Sequence, residues 1–416
     1  ATQAVVEKRL REEGKLKGSL KQAMKREDFV AQVQAFKDEY EAVITNQLKA
    51  MGCSCDWPRQ RFTMDPVCVK AVYEAFFRLF KDGLIYRGKR LVNWDPALQT
   101  AVADDETEDI EIDGHMHYLR YPLVHAHGAT TSKERAQGKQ APDDAVPVTW
   151  AELRSRGWNM PEDAAHADDS QAWVTVATTR PETYLGDTAV AVNPKDPRAK
   201  SLRGLSVELP LVGRVIPIVE DDYVVMPAAL ARDEEAKNDP KAAIATGFLK
   251  VTPAHDANDY ALGQRHNLAM VNIFAPDAAI SDKHGWTDIG GAHMFVGKSR
   301  EEARKLVIKE FKARTVSGEA GSPLLLAEIK PYKHSVPHSD RSKAAIEPYL
   351  SDQWYVKVTD ERMAAAANRA LVEEQLANRE VAKSPSRRGD GELRFYPARY
   401  AKTYETWHDN VRDWCI

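Results

Sequence analysis

Apolar residues near the start of the chain recur at helical spacing. Phe29, Val33, Phe36 and Tyr40 lie on one side of a helix, within residues 1–50, which are otherwise rich in Glu, Lys, Ala and Gln. This pattern predicts a charged amphipathic helix. A second helix is predicted over residues 66–81, before a glycine that suits a helix end. Its broad apolar face, which we interpret as core packing, consists of Val69, Val72, Tyr73, Phe76, Phe77 and Phe80.

The middle of the chain changes to strand-like patterns. Residues 84–108 predict short strands and turns, and the polar residues 126–146 predict an exposed loop. Residues 173–178 alternate between apolar and polar, and residues 189–192 are a short apolar run. Further strand-like runs are residues 209–219, 248–252 and 270–274, separated by turns rich in Gly, Pro and Asp. Together they predict a compact β-rich domain, barrel-like in character.

Helical patterns return near the end of the chain. Residues 299–313 predict a helix with Ser299 as its N-cap. Residues 361–380 predict another helix, rich in Ala, and residues 383–391 predict a polar turn. Helices mixed with a strand-rich middle indicate an α/β protein.

Composition narrows the class of protein. The chain has 416 residues, enough for two or three domains, with 43% apolar and 29% charged residues. We therefore expect a soluble globular protein without a membrane span, since no apolar run reaches about 18 residues. Four cysteines do not make a disulfide framework, and the charged N-terminus is unlike a signal peptide, so we expect a cytoplasmic protein. A net charge of −4 argues against indiscriminate nucleic-acid binding but allows a local basic groove. We expect both ends of the chain to be cut, since it lacks an initiator Met and stops in an apolar-aromatic pattern.

Residues 178–183 place hydroxyls and a guanidinium at a predicted strand end. Arg180 offers a planar fork of donors for a carboxylate, phosphate or carbonyl group. Thr178, Thr179 and Thr183 offer small hydroxyls for substrate or backbone. An equally weighted interpretation is that this segment only caps a helix after a strand.

Residues 250–260 form a second polar segment. Asp256 and Asp259 are three residues apart, a spacing that places both carboxylates on one face of a helical turn. Such a pair suits a substrate ammonium group and can orient a water molecule. Lys250 balances the two charges or binds a carbonyl or phosphate oxygen. The alternative is an ordinary helix N-terminus, where the dipole favours Asp. His255 is a weaker candidate for a general base than for a structural residue.

Metal and phosphate-loop signals are weak. Cys53 and Cys55 have one residue between them and no second pair, so they lack zinc-knuckle spacing. His115 with His117, or His334 with His338, lack an evident third ligand, and neither standard glycine-rich phosphate loop occurs. The two polar segments contain no nucleophile beside a base, so together they predict a pocket that grips a polar substrate and positions a water molecule.

Five stretches carry a resemblance to a known family. They are Ile85–Trp94, Thr178–Pro194 (TTRPETYLGDTAVAVNP), Lys250–Leu268 (KVTPAHDANDYALGQRHNL), Arg341–Val356 and Lys402–Ile416. In these stretches the chain resembles the valyl-tRNA synthetases, within the class I aminoacyl-tRNA synthetases. The stretches follow one another over almost the whole chain, so the resemblance is specific.

The resemblance implies a partial Rossmann-type catalytic core interrupted by a β-rich editing domain. The expected core segments are residues 1–112 and 346–416, and the expected editing domain is residues 113–345, with its centre at about 150–330. The family joins valine to tRNA(Val) with ATP and Mg²⁺. Its editing domain hydrolyses threonine wrongly attached to that tRNA, needs no cofactor, and is required because a hydrophobic pocket rejects an isosteric hydroxyl only about a hundredfold. We expect a monomer that binds tRNA.

The resemblance also implies residue roles. Asp259 would hold the substrate ammonium, and Asp256 or Thr183 would hold the threonine hydroxyl or the water. Lys250 and Arg180 would bind the ester and the terminal adenosine. Thr178, Thr179 and Thr252 complete the expected substrate-binding walls, and Arg87, Lys89 and Arg90 are expected to bind tRNA phosphates.

Some family features are missing from this sequence. Neither a His-Ile-Gly-His-like nor a Lys-Met-Ser-Lys-Ser-like ATP signature occurs. The segment 93–100 has Asp95 and Leu98 where some relatives carry cysteines, so we expect no zinc there. Two other interpretations remain: a segment that is inert without the rest of a synthetase, and a noncatalytic tRNA-binding module. The carboxylate pair counts against the latter, since carboxylates repel phosphates.

Overall fold

The computed structural model describes residues 2–16, 24–126, 145–231, 238–316, 323–376 and 391–416. Its α-helices are α1 (Thr2–Glu12), α2 (Arg26–Ala50), α3 (Pro66–Lys81), α4 (Trp150–Ser155), α5 (Ala199–Leu202), α6 (Ala257–Arg265), α7 (Arg300–Ala313), α8 (Ala366–Arg369) and α9 (Arg399–Asn410). Its strands are β1 (Ile85–Asp95), β2 (Thr100–Ala101), β3 (Thr107–His125), β4 (Val146–Pro147), β5 (Trp173–Thr178), β6 (Ala189–Val192), β7 (Ser206–Glu208), β8 (Val215–Glu220), β9 (Phe248–Val251), β10 (Leu325–Ser339), β11 (Glu347–Val356) and β12 (Trp414–Cys415). The mixture confirms the predicted α/β class.

The chain forms two compact units. The first unit comprises residues 1–90 and 352–416, and the second unit comprises residues 91–351. The chain passes from one unit to the other within β1 and again within β11. The first unit is mainly helical, whereas the second unit holds most of the strands.

In the first unit, α1 and α2 pack through a small apolar cluster. Val6, Leu10, Leu16 and Phe29 are its buried members, and Val33 and Phe36 pack against it. The amphipathic helix predicted from the spacing of residues 29–40 is confirmed as α2, whereas α1 was not predicted; residues 17–23 lie outside the described part.

Helix α3 has the predicted bounds but not the predicted surroundings. Asp65 caps it by accepting a hydrogen bond from the Cys68 amide, and Gly83 follows it with a positive φ of 72°. The apolar face predicted to be core is largely exposed, with Tyr73 at 71% and Phe77 at 60%. The core interpretation is wrong because no described residue buries a side chain of α3. Within this unit, Phe76 and Phe80 meet the edge of Trp354.

The second unit is built around the 19-residue strand β3. The strands follow the path β10-β3-β7-β8-β6-β9, and β5 also pairs with β3. All of these pairings are antiparallel except that of β6 with β8, which is parallel. This path stays open among the described strands, so the β-rich interpretation holds without the barrel-like closure. The main apolar core lies here and includes Leu119, Tyr121, Trp150, Phe274, Trp286 and Phe311.

Several local predictions are confirmed. Residues 173–178 and 189–192 are strands, and the run 248–252 matches β9. Ser299 caps α7 by accepting from the Glu302 amide, while the Glu302 carboxylate accepts from the Ser299 amide. These elements follow from local alternation and from a capping box.

Other predictions are wrong. The run 209–219 is broken by a turn with positive φ at Leu211 (67°) and Gly213 (72°), and only its end is strand. In the predicted strand 270–274, residues 271–274 are buried but make only an isolated bridge between Phe274 and Ile280. The helix predicted for 361–380 ends at Arg369, after a π-helical turn over Glu361–Ala365, because the backbone turns to pair Leu371 with Leu393. The predicted loop 126–146 and polar turn 383–391 lie almost entirely outside the described residues.

Candidate functional site

The two polar segments singled out in the sequence meet in the second unit. The first follows β5 as a 3₁₀ turn, Pro181–Gly186, and the second runs from the end of β9 into α6. The Thr188 amide donates to the Val251 carbonyl at 2.9 Å. Arg180 Nη1 donates to the His255 carbonyl at 3.1 Å. The predicted walls of one pocket are therefore in contact.

A buried polar cluster joins the walls at their base. The fully buried Asp187 accepts hydrogen bonds from Lys250 Nζ at 3.1 Å and Thr252 Oγ1 at 2.6 Å, both on Oδ1. Tyr121 donates its phenol hydroxyl to Asp187 Oδ2 at 2.7 Å. Lys250 Nζ also donates to Thr252 Oγ1. Burial raises the pKa of Asp187, and the Lys250 charge opposes that rise. Lys250, Thr252 and Asp187 thus form one hydrogen-bonded cluster.

Asp259 lies at the start of α6 and faces the same cluster. It is 7% exposed, and its Oδ2 accepts from the Thr252 amide at 2.8 Å. Burial, reinforced by the nearby charge of Asp256, raises the pKa of Asp259 to about 7. Oδ1 of Asp259 accepts no hydrogen bond from a described residue. A carboxylate in this setting gains most from a cationic ligand.

Asp256 is the N-cap of α6. Its Oδ1 accepts from the amides of Asn258 and Asp259, at 2.8 and 3.0 Å. The residue is exposed, and its charge raises the pKa of Tyr223 after the larger effect of burial. The capping interpretation therefore holds for Asp256, whereas the carboxylate of Asp259 is turned toward the base of the pocket.

The guanidinium of Arg180 is largely committed to the protein. It pairs with the buried Glu347 through Nη2 and lies 3.5 Å from the buried Glu182 through Nε. Glu182 is in turn held by both Nε and Nη2 of Arg304, at 2.8 and 2.7 Å. Burial lowers the pKa of Arg180, but the charges of Glu347 and Glu182 outweigh that effect and raise it. Arg180 shapes the wall and keeps its cationic charge beside Asp256.

The threonines of the first wall bond mainly to their own turn. Thr178 Oγ1 accepts from the Arg180 amide at 3.0 Å, and Thr183 donates to the Arg180 carbonyl at 2.9 Å. Thr179 is half-buried. The local-turn interpretation of this segment is therefore correct for Thr178 and Thr183, although both retain oxygen lone pairs.

His255 has the contacts of a structural residue. It is 1% exposed, and its Nε2 accepts from the Ile273 amide at 3.0 Å, which places the proton of the neutral ring on Nδ1. Burial, with the charges of Arg180 and Lys250, holds the pKa of His255 well below its ordinary value. The structural alternative is favoured over a general base.

The three basic residues predicted to bind tRNA differ in their surroundings. Arg87 and Lys89 are exposed and, two residues apart on β1, share one face. Arg90 pairs with Asp413 at 3.2 Å and lies over the rings of Tyr86 and Tyr355. Arg87 and Lys89 form an open cationic pair, whereas Arg90 is held within the first unit.

Among the described residues, no group of three His, Cys, Asp or Glu side chains could hold a metal ion. The described helices are also too short or too polar to cross a membrane. Asp95 is buried and accepts from the amides of Ala97 and Leu98 and from the Ser342 hydroxyl.

Three side chains that complete the site had no role predicted from the sequence: Asp187, Tyr121 and Glu347. Asp187 stands in the quoted stretch Thr178–Pro194, but its partners Tyr121 and Lys250 are 66 and 63 residues away. Glu347 is 167 residues from Arg180. A polar residue inside an apolar run was the only available signal for Asp187.

Comparison with known proteins identifies the family of the chain. Residues 1–416 match the family described as tRNA synthetases class I (I, L, M and V). The chain is 39% identical over 416 residues to a valine–tRNA ligase of Xanthomonas campestris pv. campestris, covering 100% of the chain and 36% of that relative. It is 38% identical over 426 residues to the valine–tRNA ligase of Laribacter hongkongensis (100% and 36%). The enzyme of that name from Synechocystis sp. is 38% identical over 416 residues (100% and 35%).

The chain therefore spans only about a third of the length of these curated relatives. Over that span, the predicted resemblance to the valyl-tRNA synthetases is confirmed. Because the family description matches every residue, the chain belongs to the class I aminoacyl-tRNA synthetases.

Proposed function

We propose that the pocket of the second unit edits tRNA(Val) by hydrolysing threonine from Thr-tRNA(Val). The observation that carries this proposal is the buried carboxylate of Asp259, which has one free oxygen beside the Lys250–Thr252–Asp187 cluster. We assign the editing role to residues 113–345, as the sequence predicts. The relatives' name, valine–tRNA ligase, supports tRNA(Val) as the partner.

Asp259 is suited to bind the ammonium group of an esterified amino acid. Its pKa of about 7 means that ionisation is opposed while the pocket is empty. An ammonium group beside Oδ1 favours the ionised form and replaces the solvation that burial removed. Ligand binding and the charge of Asp259 are thereby coupled.

The hydrolysis needs a water molecule and a group that stabilises negative charge. Water attacks the carbonyl carbon of the ester, the bond to the ribose oxygen breaks, and the water's proton passes to that oxygen. Threonine and free tRNA are released. Lys250 is placed to stabilise the oxyanion, and Asp256 orients the water through Oδ2, which accepts no hydrogen bond from a described residue. The terminal ribose hydroxyl can assist proton transfer.

Selection between threonine and valine follows from the polar walls. A site built to bond a substrate hydroxyl rejects the analogue that lacks it, because its own polar groups would be left without a partner. Thr183 and Asp256 are the assigned hydroxyl partners, and Thr178, Thr179 and Thr252 complete the walls. Arg180 supports the terminal adenosine by its charge rather than by a free fork, since each of its three side-chain nitrogens already contacts a protein group.

For the longer protein, we propose ligation of valine to tRNA(Val) with ATP and Mg²⁺, by a cytoplasmic monomer. Neither ATP signature occurs in this sequence, so its residues give no ligation step. Editing needs none of these cofactors. We propose that Arg87 and Lys89, with Arg90, bind tRNA phosphates.

The test is hydrolysis of Thr-tRNA(Val) and Val-tRNA(Val) by this chain and by Asp259→Ala. We expect selective loss of threonine in the wild type and none above the uncatalysed rate in the variant. Arg265→Ala is a matched control, because Arg265 is exposed on the same helix and, among the described residues, bonds to Asp221 and to none of the pocket residues. Threonine release that survives Asp259→Ala would contradict the assignment, and equal release of valine would contradict editing.

A further inference from the structure

Asp187 has three side-chain partners and no access to solvent. Its side chain lies where the 3₁₀ turn Pro181–Gly186 ends, and it is 0% exposed. One oxygen, Oδ1, is shared by Lys250 Nζ and Thr252 Oγ1, while Oδ2 is bonded to the Tyr121 hydroxyl. The carboxylate therefore cannot itself reach a substrate.

The position of Thr252 links this buried carboxylate to the pocket. Its hydroxyl donates to Asp187 and its backbone amide donates to Asp259. Thr252 is consequently held by two buried carboxylates, those of Asp187 and Asp259. A shift of Asp187 would move both the hydroxyl of Thr252 and the ammonium group that bonds to it.

Lys250 retains one donor after these contacts. An ammonium group has three N–H donors. Lys250 uses one for Asp187 and one for Thr252, and the third has no partner among the described residues. Two fixed donors determine the direction of the third. Asp187 thereby sets where the remaining N–H of Lys250 points.

We propose that Asp187 is a positioning residue for hydrolysis, an inference that rests on the proposed function. It aims the free N–H of Lys250 at the ester carbonyl and keeps the ammonium group in place while the oxyanion forms. The Tyr121 hydroxyl fixes the second carboxylate oxygen of Asp187 by a hydrogen bond. The effect on chemistry exceeds the effect on binding, because the substrate ammonium is held by Asp259.

A double-mutant cycle with Asp187→Asn and Lys250→Met tests this inference, with kcat and KM for Thr-tRNA(Val) as readouts. We expect Lys250→Met to lower kcat by about 10²-fold. Asp187→Asn should lower it by about as much, since displacing a catalytic group by about 1 Å costs on the order of 10²-fold. KM should change little. The double variant should be no slower than Lys250→Met alone, because Asp187 acts through Lys250.

The outcomes separate this inference from the proposed function. If the two losses multiply, Asp187 acts through the fold and the inference is overturned while editing stands. If Lys250→Met is fully active, the inference is again overturned. A wild-type chain that releases no threonine overturns both. Asp196→Asn is the matched control, because Asp196 is also buried and also paired with a cation. Its Oδ2 lies 2.7 Å from Arg198 Nη2, outside the pocket. The kcat of this variant should equal that of the wild type.

A second variant decides the matter if Asp187→Asn does not fold. Tyr121→Phe removes only the hydrogen bond to Asp187 Oδ2. We expect kcat to fall by about threefold to tenfold when Lys250 is present. In the Lys250→Met background, Tyr121→Phe should have no effect. An equal fall in both backgrounds would overturn the inference.

Discussion

Asp259 Oδ2 accepts a hydrogen bond from the Thr252 amide at 2.8 Å, and this contact ties the first turn of α6 to the end of β9. Both residues are buried. The bond stabilises the ionised carboxylate, yet burial and the charge of Asp256 outweigh it, so that the pKa of Asp259 rises to about 7. A group placed for binding is therefore kept in the fold at a cost in stability near neutral pH.

This cost predicts that Asp259→Asn stabilises the protein above neutral pH. The pKa in the folded chain, about 7, lies above the ordinary value of 3.8. The favourable contribution of protonated Asp259 is thus complete below about pH 4 and is lost as the pH rises through 7. The asparagine oxygen can still accept from the Thr252 amide. Urea unfolding should show the variant equal to the wild type near pH 4 and more stable at pH 8.

The same variant should lose selective threonine release, so that stability and activity move in opposite directions. Asp277→Asn is the control, since Asp277 is exposed, lies outside the pocket, and asparagine can still accept the hydrogen bond from the Ala279 amide. A stability difference for Asp259→Asn that is constant from pH 4 to pH 8 would rule out the proposed titration.

Removal of the Arg304 guanidinium from its ion pair with Glu182 should lower the free energy of unfolding. Glu182 is fully buried and bonded by two nitrogens of Arg304. Arg304→Met leaves Glu182 with Arg180, 3.5 Å away, as its remaining cationic neighbour among the described residues. Because Arg304 is itself partly exposed, the change should cost about 1.5–3 kcal/mol in the free energy of unfolding. Arg265→Met removes a half-exposed arginine from a similar pair with Asp221 and should cost no more than about 1 kcal/mol.

The loss for Arg304→Met should also depend on pH. Burial raises the pKa of Glu182, but Arg304 and Arg180 together lower it below its ordinary value of 4.5. The pair therefore stabilises the fold above about pH 4.5, and this stability is lost as the pH falls through the lowered pKa. The difference in the free energy of unfolding between the wild type and Arg304→Met should therefore be smaller at pH 3 than at pH 7, and a constant difference would contradict the ion-pair account.

Local signals predicted the elements around the site better than the contacts within it. Strand β5 and the Ser299 cap follow from alternation and a capping box, which act over a few residues. Asp187 and Glu347 obtain their roles from partners more than 60 residues away, and no local pattern carries that distance. The prediction that the apolar face of α3 is buried was wrong for a related reason. Amphipathic spacing predicts which side of a helix is apolar, but it does not predict what covers that side.

His117 predicts acid sensitivity in the second unit. Its ring is buried, and burial, with the charges of Arg304 and His115, lowers its pKa from 6.5 to about 4. The neutral ring stabilises the fold above pH 6.5, and this stability is lost as the pH falls toward 4. The loss in the free energy of unfolding should be on the order of 1–3 kcal/mol. His117→Gln should lose less stability than the wild type over this range, whereas the exposed control His293→Gln should follow the wild type.

The exposed residues Arg87 and Lys89 on β1 should contribute measurably to the affinity for tRNA. Arg87→Ala and Lys89→Ala should each weaken tRNA(Val) binding and lower the slope of log K against log salt by about 0.7–0.9, the value of one phosphate contact. Arg59→Ala is the control, since Arg59 is 85% exposed elsewhere in the first unit.

Arg90→Ala separates contact with tRNA from support of the fold. Because Arg90 pairs with Asp413 and covers two tyrosine rings, its removal should lower the melting temperature as well as the affinity. Loss of stability without any change in the salt slope would assign Arg90 to the fold alone and leave Arg87 and Lys89 as the phosphate contacts. If Arg59→Ala weakens tRNA binding as much as Arg87→Ala does, the surface attracts tRNA through its overall charge, and Arg87 and Lys89 do not form a specific phosphate-binding site.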